Sequence, residues 1–360
     1  MNDQSLISEQ LDLTPFFIEG YEDEKRKIVD SITKACCEYG FFQIVNHGVP
    51  LDLTSQAIKL SKAFFESPNE ANLKCCPLPN APVPAGYNKK PNPSYGFNEY
   101  LIMLPHGSDF NIFPADPPLF QEVMEELFSQ FLKIMMVVER VLSECLGLPP
   151  CVLKDFNNDR SWDFLIALFY LPATEKEKIG ASSHKDVSCF TIVLQDEVAG
   201  LEVQKDGEWI LIAPQLGALV VNIGDALQLG CDFCWKLAFG GEMRPPIFDE
   251  LNTSVPHVGD LVSSHMHDLR ILTNDKFKSP THRVLRPNGR SRNSFTFFYS
   301  LSGDKLVQPL PQFTKEMAEK PKYVPFLYKE YIQKRKENKS KNITRLEDEI
   351  TISHYAIPEE

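Results

Sequence analysis

His184-Lys185-Asp186 is followed, 96 positions after its aspartate, by His282, and ten further on by Arg292-Asn293-Ser294. Two imidazoles and one carboxylate can hold a ferrous ion on one face and leave three adjacent positions open. Such a set works only if the strand carrying His282 lies beside the segment carrying His184 and Asp186. Any fold that keeps those stretches apart is excluded by it. Arg292 and Ser294 are two residues apart, so on a strand their side chains share a face. A planar guanidinium beside a hydroxyl suits the far end of a dicarboxylate.

At 360 residues with 43% hydrophobic content the chain can bury a full core. The net charge of −12 argues against nucleic acid and anionic membranes as partners. No apolar run long enough for a signal peptide or a membrane span is visible, and nine scattered cysteines read as reduced thiols, so a cytoplasmic enzyme is expected. Helical spacing predicts a helix over 22–39, stopped by Gly40, then a buried strand over 41–45 and a second helix over 52–66. The Pro- and Asn-rich stretch 77–97 reads as loop. A long helix is expected to start near Asp116-Pro117 and end at Gly147, with Val123, Leu127, Ile134 and Val138 on its buried stripe.

From about 163 the pattern changes to short β-branched and aromatic runs: 164–170, 188–195, 201–204, 208–212, 218–223, 281–285 and 293–300. Asp206-Gly207 between two of them is a hairpin signal. Many short strands after an α-rich third suggest a jelly roll with helices packed outside, and residues 312–345 return to helix. His184-Lys185-Asp186 is expected at the entry of the strand that follows it, where positions i and i+2 share a face. Phe298, six residues after Arg292, would face the same cavity and is a candidate to stack on an aromatic substrate, with core packing as its rival role. Tyr100 is a second candidate. His47, in a turn, reads as a structural hydrogen-bonder, and His106 and His354 as solvated.

The stretch from Ala35 to Pro50 (ACCEYGFFQIVNHGVP), the HKD triplet, Val221-Asn222-Ile223-Gly224-Asp225, His282, RNS and the ending Tyr328-Lys329-Glu330-Tyr331 together resemble the plant 2-oxoglutarate/Fe(II)-dependent dioxygenases, flavonol synthase and flavanone 3-hydroxylase among them. The resemblance spans nearly the whole chain. It implies an α+β protein, mainly β in its core, with a double-stranded β-helix flanked by N- and C-terminal helices. The expected division is an N-terminal region 1–120, a catalytic domain 121–310 and a helical segment 311–360. It further implies His184, Asp186 and His282 as catalytic iron ligands and Arg292 with Ser294 on 2-oxoglutarate. The cofactor set would be Fe(II), 2-oxoglutarate and O2, with ascorbate as reductant. The expected activity is hydroxylation, desaturation or demethylation of a small specialised metabolite, flavonoid-like or phenolic, by a monomer.

Two departures stand out. Relatives carry Asn-Tyr-Tyr-Pro ahead of the HxD, the second tyrosine touching the co-substrate. Here Phe169-Tyr170-Leu171-Pro172 puts Leu171 there, so one hydrogen bond of about 1 kcal/mol is expected to be missing or replaced. The distance from Asp186 to His282 is also too long for the family. Removing the 42 residues Leu229–Arg270 restores it and joins Gln228 to Ile271. That stretch reads as an insert, either a retained intron or a lid. Its Cys231, Cys234, His265 and His267 lack a familiar zinc spacing. Two alternative readings follow: a catalytically impaired splice variant in which the strand bearing His282 is dislodged, and an ACC-oxidase-like enzyme using ascorbate in place of 2-oxoglutarate.

Overall fold

The computed structural model describes residues 10–77, 85–92, 96–186, 188–224, 277–309, 314, 320–331, 333–334 and 355–358. The insert 229–270, its cysteines and histidines, His354 and most of 311–360 lie outside the described residues.

The helices are α1 (Glu22–Glu38), α2 (Leu51–Phe65), α3 (Asn69–Leu73), α4 (Phe120–Cys145) and α5 (Val152–Phe156). The strands are β1 (Gln10–Asp12), β2 (Phe41–Val45), β3 (Gly86–Asn92), β4 (Gly96–Met103), β5 (Phe164–Tyr170), β6 (Ile179–His184), β7 (Phe190–Gln195), β8 (Leu201–Lys205), β9 (Glu208–Leu211), β10 (Leu219–Ile223), β11 (His282–Leu285), β12 (Arg292–Tyr299), β13 (Leu306–Val307) and β14 (Phe326–Leu327). Eight of them form a major sheet in the order β1-β2-β10-β7-β12-β5-β4-β3, and four form a minor sheet, β6-β11-β8-β9. This is the expected jelly roll.

Strand period two sorts the major sheet into two cores. On β5, Leu165, Ala167 and Phe169 face the helices and join a cluster with Phe128, Phe131, Ile134 and Val138 of α4. Phe164, Ile166, Leu168 and Tyr170 face inward and cluster with Val203 and Val284 of the minor sheet. Both faces are therefore apolar, which is why FLIALFY runs without alternation. Each buried Leu, Ile or Phe contributes roughly 1.5–3 kcal/mol relative to exposure. The four α4 stripe residues named from the sequence are all buried.

Three expectations are corrected. The stretch 77–97 is not all loop: β3 pairs with β4 from Gly86↔Ile102 to Asn92↔Gly96. As the last strand of its sheet, β3 tolerates a proline at position 91, which a central strand would not. The long helix begins at Phe120 and not at Asp116-Pro117, because Leu119 sits at φ 64, a left-handed conformation that cannot continue a right-handed helix. His184-Lys185-Asp186 does not enter a strand. His184 ends β6, and Asp186 lies in the connection before β7.

The strand bearing His282 is paired on both edges, to β6 and to β8, so it is not dislodged. Its approach is fixed by the N-terminal region. Ile223 N–H donates to Gly40 O (2.8 Å) and Lys278 N–H donates to Cys36 O (3.0 Å). Gly40 has φ +76 and a backbone so close to Lys278 O and Pro280 that no side chain fits there.

Candidate metal centre and its anion pocket

His282 opens β11 directly opposite His184 at the end of β6. Their ring centroids are 4.2 Å apart. Each ring is held by the same device, its Nδ1 bonded to a carbonyl two residues earlier: Ser182 O at 2.7 Å for His184 and Pro280 O at 3.1 Å for His282. With Nδ1–H as donor, each Nε2 carries the lone pair that can bind a metal, the usual outer-partner role at histidine ligands. Both Nε2 atoms converge on Asp186 Oδ1, at 3.8 Å from His184 and 3.6 Å from His282.

One ligand atom from each of the three residues can be chosen so that all lie within 4.8 Å of one another, the only such group among the described residues. Burial alone would push the Asp186 carboxyl up, but the adjoining His282 and His184 rings, with the hydroxyl of Thr191, hold it at about 2. A carboxylate between two imidazole nitrogens is a donor set that fits a divalent iron, with ligand distances near 2 Å.

Next to this group lies a buried cation. Arg292 is 1% exposed. Its Nε donates to Val198 O (3.2 Å), Nη1 to Ser294 Oγ (3.1 Å) and Nη2 to Gln195 Oε1 (2.9 Å). Among the described residues no carboxylate is within ion-pair distance of it, so its charge is met only by neutral acceptors and the more distant Asp196. A buried charge in that position calls for an anion.

Tyr170, not Leu171, completes the pocket. Tyr170 pairs with Arg292 across the β5–β12 ladder, and its ring lies 5.2 Å from the guanidinium carbon. Leu171 is 43% exposed and points away. The ring reaches this place because residue 180 is glycine, where a Cβ would stand 2.5 Å from Tyr170 Cδ1. The tyrosine that the motif seemed to lack is present one residue earlier.

His184, Asp186, His282, Arg292, Ser294, Tyr170 and Phe298 all line one cavity between the two sheets. Phe298 also stacks on Phe164 (4.5 Å between centroids, 10° between planes), so the lining and packing roles coexist. Tyr100 is buried in the same interior cluster but does not line the cavity. His47 is a structural group: Nε2 bonds Gly217 O at 3.1 Å, and Nδ1 accepts from Val49 N–H at 3.2 Å. His106 is exposed and pairs with Glu125.

Sequence reasoning did not find Gln195, Thr191 or Asn222 at the site. Gln195 and Asn222 act across a ladder that only strand register would have revealed, and Thr191 acts through the fold of the chain between Asp186 and β7.

Two family descriptions match the chain. "Non-haem dioxygenase in morphine synthesis N-terminal" covers residues 10–96, and "2OG-Fe(II) oxygenase superfamily" covers 161–231 and 239–301. Jasmonate-induced oxygenase 2 of Arabidopsis thaliana is 30% identical over 326 residues, 88% of this chain and 75% of that protein. The chain belongs to the 2OG-Fe(II) oxygenase superfamily.

Other members are similar at comparable depth. Flavonol synthase/flavanone 3-hydroxylase of Matthiola incana is 26% identical over 86% of this chain and 93% of its own. JOX2, solved in complex with 2OG, Fe and JA, superimposes with a TM-score of 0.67 at 28% identity, covering 90% of this chain and 83% of its own. This 2OG-Fe(II) oxygenase is accordingly a dioxygenase that uses Fe(II), 2-oxoglutarate and O2.

Proposed function

We propose that His184, Asp186 and His282 hold the iron, and that Arg292, Ser294 and Tyr170 take the distal carboxylate of 2-oxoglutarate. The chain then hydroxylates, desaturates or demethylates a small plant specialised metabolite, flavonoid-like or phenolic, with ascorbate as reductant. The observation that carries this reading is that the three ligands and the buried guanidinium line a single cavity.

Iron bound there would supply the Lewis acid and redox chemistry that couples decarboxylation of 2-oxoglutarate to oxidation of a second molecule. The protein's own share is positioning. Arg292 offers a planar fork that cannot lose its proton, and Gln195 and Val198 fix the direction of that fork. Ser294, locked to Nη1, presents its hydroxyl on the same strand face. The interior walls, Leu168, Val193, Leu201 and Phe298, keep water away from the reacting groups.

The aromatic preference rests on Phe298, whose ring is held by Phe164 so that one face is available to the cavity. Flavonol synthases are among the relatives, and so are proteins named for gibberellin and jasmonate. Succinate release from a panel of flavonoids, simple phenolics, alkaloids and carboxylated hormones tests the choice. Stimulation by flavonoid or phenolic substrates is expected. Turnover with hormones alone would replace the phenolic reading.

A further inference from the structure

Asp186 has two carboxylate oxygens, and they are treated differently. Oδ1 faces both histidines, while Oδ2 accepts the hydroxyl of Thr191 at 2.8 Å. Thr191 Oγ1 in turn accepts from Asn222 Nδ2 at 3.4 Å. Thr191 and Asn222 are both fully buried, and they are direct partners in the β7–β10 ladder. Asn222 is also paired on its other side, to Phe41 of β2, so it is fixed from both edges.

The direction of these bonds is determined. A threonine hydroxyl has one proton and two lone pairs, and an ionised carboxylate only accepts. The Thr191 proton therefore goes to Asp186, and the Asn222 amide must be the donor to Thr191. Asp186 itself lies in a connection between strands, where no ladder holds its backbone.

We infer that Thr191 and Asn222 form a positioning relay that keeps Asp186 a one-oxygen ligand. With Oδ2 held by a hydroxyl, only Oδ1 is presented to the metal. A carboxylate free of that hold could turn and chelate through both oxygens, occupying one of the three positions that 2-oxoglutarate and O2 require. Neither residue belongs to the ligand group or to the cavity lining, and both act through Asp186. The inference rests on the ligand assignment proposed above.

Thr191→Val keeps the shape and removes the proton, Thr191→Ser keeps the proton, and Asn222→Ala removes the outer donor. Fe(II) affinity of the apoprotein is measured by anaerobic calorimetry, 2-oxoglutarate affinity of the iron-loaded protein by its visible charge-transfer band, and apoprotein melting serves as the folding control. Loss of an outer partner typically weakens metal binding 10–100-fold. Thr191→Val is expected to fall in that range for Fe(II) and to bind 2-oxoglutarate more weakly as well, with Thr191→Ser restoring both to within about three-fold. The double variant Thr191→Val/Asn222→Ala should be no worse than Thr191→Val, because a relay broken once has nothing left to lose.

Native-like affinities in Thr191→Val, or an equal loss in Thr191→Ser, would overturn the relay. Asp186→Ala is the reference. If it binds Fe(II) like the native protein, the ligand assignment and the relay both fall. If it loses Fe(II) while Thr191→Val does not, only the relay does.

Discussion

His184 and His282 stand directly opposite each other where β6 and β11 pair, so a backbone ladder sets the separation of the two imidazoles. The connection to Asp186 has only to bring one carboxylate oxygen to within 4 Å of both rings. The ladder and the connection together set the geometry of the three donors.

Replacing His282 with alanine should therefore remove iron binding and leave the fold intact. The expected loss exceeds the roughly 100-fold upper range for an outer partner. Anaerobic Fe(II) titration with a circular-dichroism control measures it. Retained binding would show that the metal sits elsewhere.

Arg292→Ala should raise the 2-oxoglutarate requirement ten-fold or more, since a charge-assisted hydrogen bond contributes about 1.5–3 kcal/mol. Arg292→Lys should recover little, because an ammonium cannot reproduce the fork. Tyr170→Phe should cost less, about five-fold, as a single neutral hydrogen bond is worth about 1 kcal/mol. Succinate release against 2-oxoglutarate concentration checks all three. An effect of Leu171→Ala equal to that of Tyr170→Phe would contradict the placement of the tyrosine.

Stability should fall as pH rises from about 4 to 7. Burial pushes Glu139 and Asp163 each up to about 7, against partial relief from Tyr299 and Arg160 for the first and from Arg160 and the Ser300 N–H for the second. Tyr299 donates to Glu139 at 2.7 Å, and Arg160 acts on both acids. A carboxyl with a raised folded pKa binds more protons when folded. Its contribution is complete below the unfolded value near 4 and is lost as pH passes the folded value near 7. Glu139→Gln, which keeps an acceptor for Tyr299, should flatten the fall in melting temperature between pH 5 and pH 8. An unchanged pH profile in that variant would assign the effect to other groups.

Deleting residues 229–270 should preserve iron binding and raise soluble yield and turnover. The described chain on either side, Ile223 and Lys278, is hydrogen-bonded to the same corner at Cys36 and Gly40, so closure is already set. Loop-closure entropy changes slowly with length, by about 0.6 kcal/mol per doubling. Loss of iron binding on deletion would identify the segment as a working part of the enzyme.

Legibility from sequence followed how local each signal is. β5 was readable to the residue because FLIALFY is apolar throughout. β6 was invisible: IGASSH has poor strand propensity, and its Gly180 leaves room for the Tyr170 ring. β3 was hidden by the asparagines and proline that an edge strand permits. At the site, His184, Asp186, His282, Arg292 and Ser294 could be named because their spacing carries the chemistry. Asn222, Gln195 and Tyr170 could not, because their roles depend on which strands lie side by side, and Thr191 could not, because its role depends on how the chain turns between Asp186 and β7.

The clasp at Cys36 and Gly40 also says where this architecture can absorb change. Ile223 and Lys278 are gripped from the N-terminal region, at the corner where β2 begins. With both ends tied to one corner, the chain between them can change in length at small entropic cost. The same arrangement makes the N-terminal region a structural tenon. Cutting the chain after residue 50 would release both sides of the joint, and the strand that delivers His282 would lose its guide.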